Sequence, residues 1–76
     1  MTYRTLKDLA VGEKVQVAEI AAVGAMRRRL QDIGMIPGTE VECLHKSPPG
    51  DPVAYLVRGA VIALRSEDSA NIKIFD

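Results

Sequence analysis

The sequence predicts a mainly β fold: a small barrel of about five strands with one inserted α-helix and short capped turns. Three observations lead to this class: the chain has only 76 residues, its apolar residues are nearly all aliphatic, and Gly and Pro recur at short intervals. β-Branched side chains favour strands, and frequent Gly and Pro suit tight turns better than long helices. A chain of this length forms one domain, residues 1–76. Closing the strands into a barrel would remove exposed sheet edges.

The first predicted element is a capped turn at residues 5–8. Thr5 can accept a hydrogen bond from the amide of Asp8, and the Asp8 carboxylate can reach back to Thr5, as in a capping box. Leu6 and Leu9 are expected to pin this turn against the core. Apolar patterns bounded by turn residues predict the strands, which cover residues 13–20, 39–46, 53–57, 61–65 and 71–75. A second capped turn is predicted at residues 66–68, where acidic residues occupy the positive end of a helical turn.

The inserted helix is predicted at about residues 25–33, because apolar residues recur there at positions i, i+4 and i+7. The members of this stripe are Met26, Leu30 and Ile33. Gly34 stands where a left-handed C-cap belongs. Pro37 and Gly38 fit the two central positions of a type II turn. Residues 58–59, Arg-Gly, then turn the chain between the third and fourth strands.

Charge and motif content argue against several classes of function. Ten basic and ten acidic residues cancel, whereas a nucleic-acid binder usually carries a basic excess. The chain contains no phosphate-binding loop, dinucleotide motif, zinc-protease motif or nucleophile elbow, so neither an enzyme nor a cofactor is predicted. The first residues lack an apolar signal core, and no stretch approaches the roughly 18–20 apolar residues of a membrane span. We expect a cytoplasmic protein without direct membrane insertion.

Cys43 and His45 are the one pair of residues that suggests a metal site. Residues two apart on a regular strand share a face, so both side chains could reach one ion. A stable zinc site needs four ligands, and only scattered carboxylates are left to complete this one. The simpler interpretation is that Cys43 packs as a small hydrophobe while His45 lies at the wetter end of the strand. We therefore predict no intrinsic metal site.

Two features are candidates for contact with a partner. Residues 27–29 are consecutive arginines, which on a helix spread over about 200° and do not form one patch. An acidic partner surface is nevertheless compatible with them. Residues 47–52 include three prolines, which stiffen a hairpin loop. This loop is either a rigid turn with no further role or a preorganised ridge that loses little entropy on docking.

Taken together, the motifs of the chain resemble the FeoA family, the small cytoplasmic accessory proteins of bacterial ferrous iron uptake. The resemblance covers residues 6–74. It rests on four segments, which read Leu6-x-x-Leu9-x-x-Gly12-Glu13, Arg29-Leu30-x-Asp32-x-Gly34-Met35-x-Pro37-Gly38-Thr39-x-Val41, Pro48-x-Gly50-Asp51-Pro52 and Arg58-Gly59-x-x-Ile62-Ala63-Leu64-Arg65. Each segment alone is a weak signal, whereas all of them in this order and at these spacings are specific.

The resemblance implies an SH3-like barrel and a role beside FeoB, the membrane transporter of ferrous iron that carries a cytosolic GTP-binding domain. Related domains also form the C-terminus of DtxR-type metal-dependent repressors, but a chain of this length has no room for their winged-helix DNA reader. No catalytic residue carries over from the family. SH3-like barrels usually bind through loops and a groove, and the exposed candidates for such binding are Arg28, Arg29, Met35, Pro49, Gly50 and Asp51.

Three hypotheses of function follow. The first is a non-catalytic accessory protein that acts by protein–protein interaction with FeoB, through its cytosolic GTP-binding domain. The second is an SH3-like interaction module of another cytosolic complex. The third is a small metal carrier that uses Cys43 and His45. The sequence leaves open the oligomeric state and whether the protein activates, inhibits or stabilises its transporter.

Overall fold

The computed structural model describes residues 4–75, and the predicted elements are present with bounds that differ by no more than one residue at either end. In chain order they are a 3₁₀ turn at Leu6–Asp8, β1 at Lys14–Ile20, α1 at Gly24–Asp32, β2 at Glu40–Lys46, β3 at Val53–Val57, β4 at Ala60–Leu64, α2 at Ser66–Ser69 and β5 at Ile72–Phe75. The mainly β class is confirmed. No helix within residues 4–75 is long and apolar enough to cross a membrane.

All five strands belong to one antiparallel sheet with the order β4-β3-β2-β1-β5. This order leaves β4 and β5 as the two edges of the sheet. The edge of β5 is covered, because the Ile74 N–H donates to the Arg4 carbonyl over 3.1 Å and Thr5 forms a bridge with Lys73. No segment within residues 4–75 pairs with the outer edge of β4. The prediction was that no sheet edge would be exposed. Within residues 4–75, the edge of β5 is covered and the edge of β4 is not.

One cluster of buried, mostly aliphatic side chains forms the core. Strand β3 alternates strictly, so that Val53, Tyr55 and Val57 are buried while the residues between them are not. Leu6 and Leu9 are both fully buried, which confirms that the N-terminal turn is pinned to the core. The hydroxyl of Tyr55 donates to the Leu6 carbonyl over 3.2 Å. This bond ties the N-terminal turn to the middle of the sheet.

The chain leaves α1 through two turns that depend on glycine. Gly34 has a φ of 98°, and a side chain there would press against the Arg58 side chain 3.2 Å away. Gly38 has a φ of 90°, and the Thr39 N–H donates to the Ile36 carbonyl over 3.1 Å. The left-handed C-cap and the type II turn are both confirmed, and together they direct the chain into β2.

A two-residue turn of Arg58 and Gly59 joins β3 to β4. Both residues have positive φ angles, 52° and 81°, which is the type I′ geometry of two-residue hairpins. Val57 pairs with Ala60 across this turn, and the register then runs without interruption to Leu64. The β3–β4 hairpin is thus a regular ladder.

A β-bulge in β1 allows this strand to bury residues that strict alternation would place on opposite faces. The register of β1 against β5 shifts between Val17 and Glu19. Val17 and Ile20 are three positions apart, and both are buried. The extra residue of a bulge reverses the side-chain alternation of the strand beyond it. Both residues therefore contribute to the core.

Candidate functional site

A surface groove lies between α1 and β4 and is bordered by α2. We call it the α1–β4 groove, and its volume is roughly 800 Å³. Most of its walls are apolar, and two arginines and the two carboxylates of Glu67 and Asp68 also line it. The residues that matter here are Met26, Ile33, Ile62, Leu64, Arg29 and Arg65. A concave apolar surface with a few polar groups is the usual character of a binding site.

Arg29 is held at the groove by an ion pair with α2. Its Nη2 atom lies 2.7 Å from Oδ2 of Asp68, and the two side chains are 60% and 10% exposed. Because the Asp68 carboxylate is nearly buried, loss of this partner would leave an uncompensated charge. Asn71 adds a second link, since its Nδ2 donates to Sδ of Met26 over 3.3 Å and to the Glu67 carbonyl over 2.7 Å. The walls formed by α1 and α2 are therefore fixed to each other.

The three consecutive arginines of α1 point in different directions, as their helical spacing predicts. Nη1 of Arg27 donates to the Ile20 carbonyl over 3.1 Å, whereas Arg29 faces α2. Arg28 is exposed, and none of the ion pairs found within residues 4–75 involves it. Of the three side chains, Arg28 is the one left available for an outside contact.

Met35 was expected to be an exposed contact residue, and that expectation is wrong. Its relative exposure is 0%, and it belongs to the core cluster. The reason is the positive φ of Gly34, which turns the chain back so that the Met35 N–H donates to the Leu30 carbonyl over 3.0 Å. Met35 therefore packs beneath the end of α1 and presents no surface to a partner.

The proline-rich loop divides into an exposed part and a structural part. Pro49 and Gly50 are exposed, which keeps them available for contact. Asp51 was expected to be exposed with them, but it is only half-exposed, and its Oδ1 atom accepts the backbone N–H of Ser66 over 2.7 Å. This bond caps the start of α2 in the manner of an N-cap side chain. Asp51 thus ties the loop to the chain beside Arg65 and the groove.

Cys43 and His45 do not lie on the same face of β2. The register against β3 shifts between them, so Cys43 pairs with Tyr55 and His45 pairs with Ala54. Cys43 is fully buried, and burial raises the pKa of its thiol, whereas His45 is exposed. Within residues 4–75, no group of three or more His, Cys, Asp or Glu side chains could hold a metal ion. This register shift is a β-bulge in β2, and it removes the geometric basis of the metal-carrier hypothesis.

A second ion pair lies away from the groove, where Arg4 and Glu13 join the N-terminal turn to β1. Nη1 and Nη2 of Arg4 lie 3.0 Å from Oε2 and Oε1 of Glu13, and the Ala10 N–H donates to Oε1 over 2.9 Å. The Arg4 hydrogen bonds, followed by the Ala10 N–H, lower the pKa of the Glu13 carboxyl to about 2. This pair is bidentate, which is the strongest arrangement of an arginine and a carboxylate.

Comparison with known proteins places these features in a family. A family model described as the FeoA domain matches residues 4–74. The solution structure of a FeoA-like protein from Clostridium acetobutylicum is 33% identical, with a TM-score of 0.88 and coverage of 99% of this chain and 88% of that one. The crystal structure of Stenotrophomonas maltophilia FeoA complexed with zinc, described as a prokaryotic SH3 domain protein, is 26% identical over 95% of this chain and 89% of that one, with a TM-score of 0.86.

A third relative is far longer than this chain. It is a fusion of Fe(2+) transport protein A with the Fe(2+) transporter FeoB from Porphyromonas gingivalis, 28% identical over 69 residues. The match covers 91% of this chain but only 8% of the fusion protein. The chain therefore corresponds to one small part of that polypeptide.

Proposed function

The chain belongs to the FeoA domain family, and on that premise we propose that it is a non-catalytic accessory protein of ferrous iron uptake. It acts in the cytoplasm by binding a FeoB-type transporter. The contact is made with the cytosolic GTP-binding domain of that transporter. Ferrous iron is the cargo of the transporter, and no step of this proposal requires the chain to hold it.

One observation carries the proposal: in the relative from Porphyromonas gingivalis, a protein of this family and FeoB are one polypeptide. Covalent linkage raises the effective concentration of two domains for each other to about the millimolar range when the linker is short. Such a fusion favours two domains that function by binding each other directly. The same contact made between separate chains would need a binding surface of adequate affinity.

The geometry of the α1–β4 groove supports the proposal. The α1–β4 groove offers apolar walls, and Arg29 and Arg65 lie beside them. Arg28 on α1 and the exposed residues Pro49 and Gly50 of the loop extend the proposed contact surface. A rigid groove needs little ordering on binding, which favours affinity. We propose these residues as the contact surface, without Met35.

The test is a calorimetric titration of this protein into the isolated GTP-binding domain of its cognate FeoB, with no nucleotide, with GDP and with a non-hydrolysable GTP analogue. The expected result is saturable binding. Arg28→Glu should weaken this binding about tenfold or more. The new carboxylate would face the acidic surface expected of the partner, and like charges at a desolvated contact are costly. Lys14→Glu, an equal charge change on exposed β1, is the matched control and should bind as the parent does.

The possible outcomes separate the parts of the proposal. Equal weakening by both variants would show a general electrostatic effect and would remove Arg28 from the contact surface. Binding to the intact transporter but not to its GTP-binding domain would show that the partner is right and the domain is wrong. Absence of binding to both would overturn the accessory role.

A further inference from the structure

We propose that the outer edge of β4 is a docking site for an extended, acidic segment of a partner protein. The segment adds to the sheet as a sixth strand and lies in the α1–β4 groove. This inference names the binding surface used in the proposed function, and it rests on that function for the premise that the chain acts by binding a partner. Backbone pairing, side chains, space and charge at the edge of β4 all support this docking site.

Backbone pairing leaves two residues of β4 with free hydrogen-bonding groups. Residues opposite each other on antiparallel strands alternate between hydrogen-bonded and non-hydrogen-bonded pairs. Val57 and Ala60 flank the two-residue turn and form a hydrogen-bonded pair, so Leu56–Val61 and Ala54–Ala63 are pairs of the other kind. The N–H and C=O groups of Val61 and Ala63 therefore point away from β3. No backbone hydrogen bond found within residues 4–75 engages them outside the ladder.

The sequence of β4 lacks the features that normally protect an edge strand. Natural edges are shielded by charged side chains, by Pro, by bulges or by a covering segment. The strand reads Ala-Val-Ile-Ala-Leu, and its register against β3 has no bulge. Val61 is 66% exposed. By contrast, the edge of β5 is covered by Arg4 and Thr5. The unprotected edge is thus confined to β4.

The groove provides the space that an added strand needs. It is lined on one side by residues 62–65, at the end of β4 and just after it, and on the other side by Met26 of α1 and by Ile33, which follows α1. A new strand would lie about 4.8 Å from β4, and five residues would extend about 17 Å along it. Side chains of the added strand that point toward α1 would contact its apolar wall. Main-chain bonds and a side-chain pocket are the two components of peptide recognition by strand addition.

Charge at the two ends of β4 indicates an acidic occupant. Arg58 precedes the strand and Arg65 follows it, both are exposed, and neither takes part in an ion pair found within residues 4–75. Carboxylates that flank the added segment would meet these two guanidinium groups. A second copy of this chain is a poorer occupant. Antiparallel self-pairing centred on Ile62 would bring Arg65 of one copy close to Arg58 of the other, and like charges disfavour that arrangement.

The experiment uses isotope-labelled protein and a synthetic peptide that does not depend on the identity of the partner. The probe has five alternating threonine and valine residues with two glutamates at each end, and its control has lysines in place of the glutamates. We expect saturable amide shifts at Val61 and Ala63, with hydrogen exchange at these two amides slowed by the probe. The lysine peptide should bind at least about tenfold more weakly, since like charges then face the arginines.

Ala63→Pro tests the backbone directly. Proline removes the outward N–H and is tolerated on edge strands at such a position, so the β3–β4 ladder and the melting transition should persist. Binding of the acidic probe should fall about tenfold or more. Ala63→Ser keeps the N–H while changing the side chain, so it should lose much less affinity than Ala63→Pro. If Ala63→Pro unfolds the protein, a probe that is N-methylated at the amide pairing with β4 can be used instead. The methyl group removes the same kind of backbone hydrogen bond from the peptide, so this probe should also bind more weakly.

The outcomes distinguish this inference from the proposed function. Absence of shifts at β4 up to millimolar probe, or full binding by Ala63→Pro, would overturn strand addition. A dimer of the parent protein that Ala63→Pro dissociates would identify a second copy as the occupant and overturn the acidic segment. If the GTP-binding domain of FeoB binds parent and Ala63→Pro equally, the edge is wrong and the accessory role stands. Probe binding without transporter binding would mean that the edge is right and the accessory role is wrong.

Discussion

Replacing Leu30 by Ala removes the main anchor between α1 and the core. Leu30 is the only fully buried side chain of α1, since Met26 and Ile33 of the same stripe are only partly buried. The change deletes three carbon atoms, each contributing roughly 0.8 kcal/mol of transfer free energy when fully buried. The cavity left behind adds to this, so the expected loss of unfolding free energy is about 2.7–5 kcal/mol.

That loss is large for a chain of this size. At roughly 0.05–0.15 kcal/mol per residue, a chain of 76 residues has a total stability of about 4–11 kcal/mol. A Tm reduction of about 4–8 °C per kcal/mol is typical for such domains. Leu30→Ala is therefore expected to lower the Tm by about 10 °C or more. Because α1 forms one wall of the groove, partner binding should weaken along with stability.

The assay is urea unfolding followed by far-UV circular dichroism, with the unfolding free energy obtained by linear extrapolation. Arg28→Ala is the control, because it lies on the same helix but is exposed, and it should change the unfolding free energy by less than about 0.5 kcal/mol. A loss below about 1 kcal/mol for Leu30→Ala, or equal losses for both variants, would refute the assignment of Leu30 as the anchor of α1.

Three further predictions concern single side chains. Asp51→Ala should cost about 1 kcal/mol of unfolding free energy by removing the cap of α2, whereas Asp51→Asn should retain most of it; thermal unfolding measures both. The Glu13 carboxyl has a folded pKa of about 2, below its ordinary value of 4.5, so its stabilising effect is present above pH 4.5 and is lost as the pH falls toward 2. The stability difference between the parent and Glu13→Gln should therefore shrink over that interval in denaturant unfolding. Cys43 is buried and burial raises the pKa of its thiol, so iodoacetamide should alkylate the native protein much more slowly than the urea-unfolded protein.

Each of these predictions has a result that contradicts it. Equal melting temperatures for Asp51→Ala and the parent would mean that the bond to Ser66 does not stabilise α2. A stability difference for Glu13→Gln that stays constant between pH 6 and pH 2 would contradict the lowered pKa. Alkylation of Cys43 at the same rate in native and unfolded protein would contradict its burial.

Local signals were sufficient to predict most of the fold. The left-handed Gly34, the type II turn at Gly38 and the turn of Arg58 and Gly59 each follow from a residue type that permits a particular backbone angle. The stripe that contains Leu30 follows from helical periodicity. These features depend on neighbours within a few positions along the chain, and such neighbours are visible in a single sequence.

Most of the features that were not predicted depend on contacts between distant parts of the chain. The bulge between Cys43 and His45 is visible only in the register against β3. The bonds from Asp51 to Ser66 and from Arg29 to Asp68 join segments far apart in sequence. The expectation that Met35 is exposed was also wrong, because the turn that precedes it directs its side chain into the core. The exposure of Arg28, Arg29, Pro49 and Gly50 was therefore predicted correctly, while the position of the groove between α1 and β4 was not predicted.

The order of strands in the sheet has a consequence for how the chain folds during synthesis. Strand β2 pairs only with residues 14–16 of β1, whereas residues 16–20 pair with β5. At roughly 5–20 residues per second, a ribosome needs several seconds to make the segment that separates β1 from β5. By comparison, a hairpin such as β3–β4 forms in about microseconds. The backbone of Val17 can bond to Gly38 and Thr39 early, whereas Ile20 gains its partner Ile72 only when β5 has been made. The core around Ile20 is therefore expected to be completed late, and apolar surface exposed until then favours misassociation.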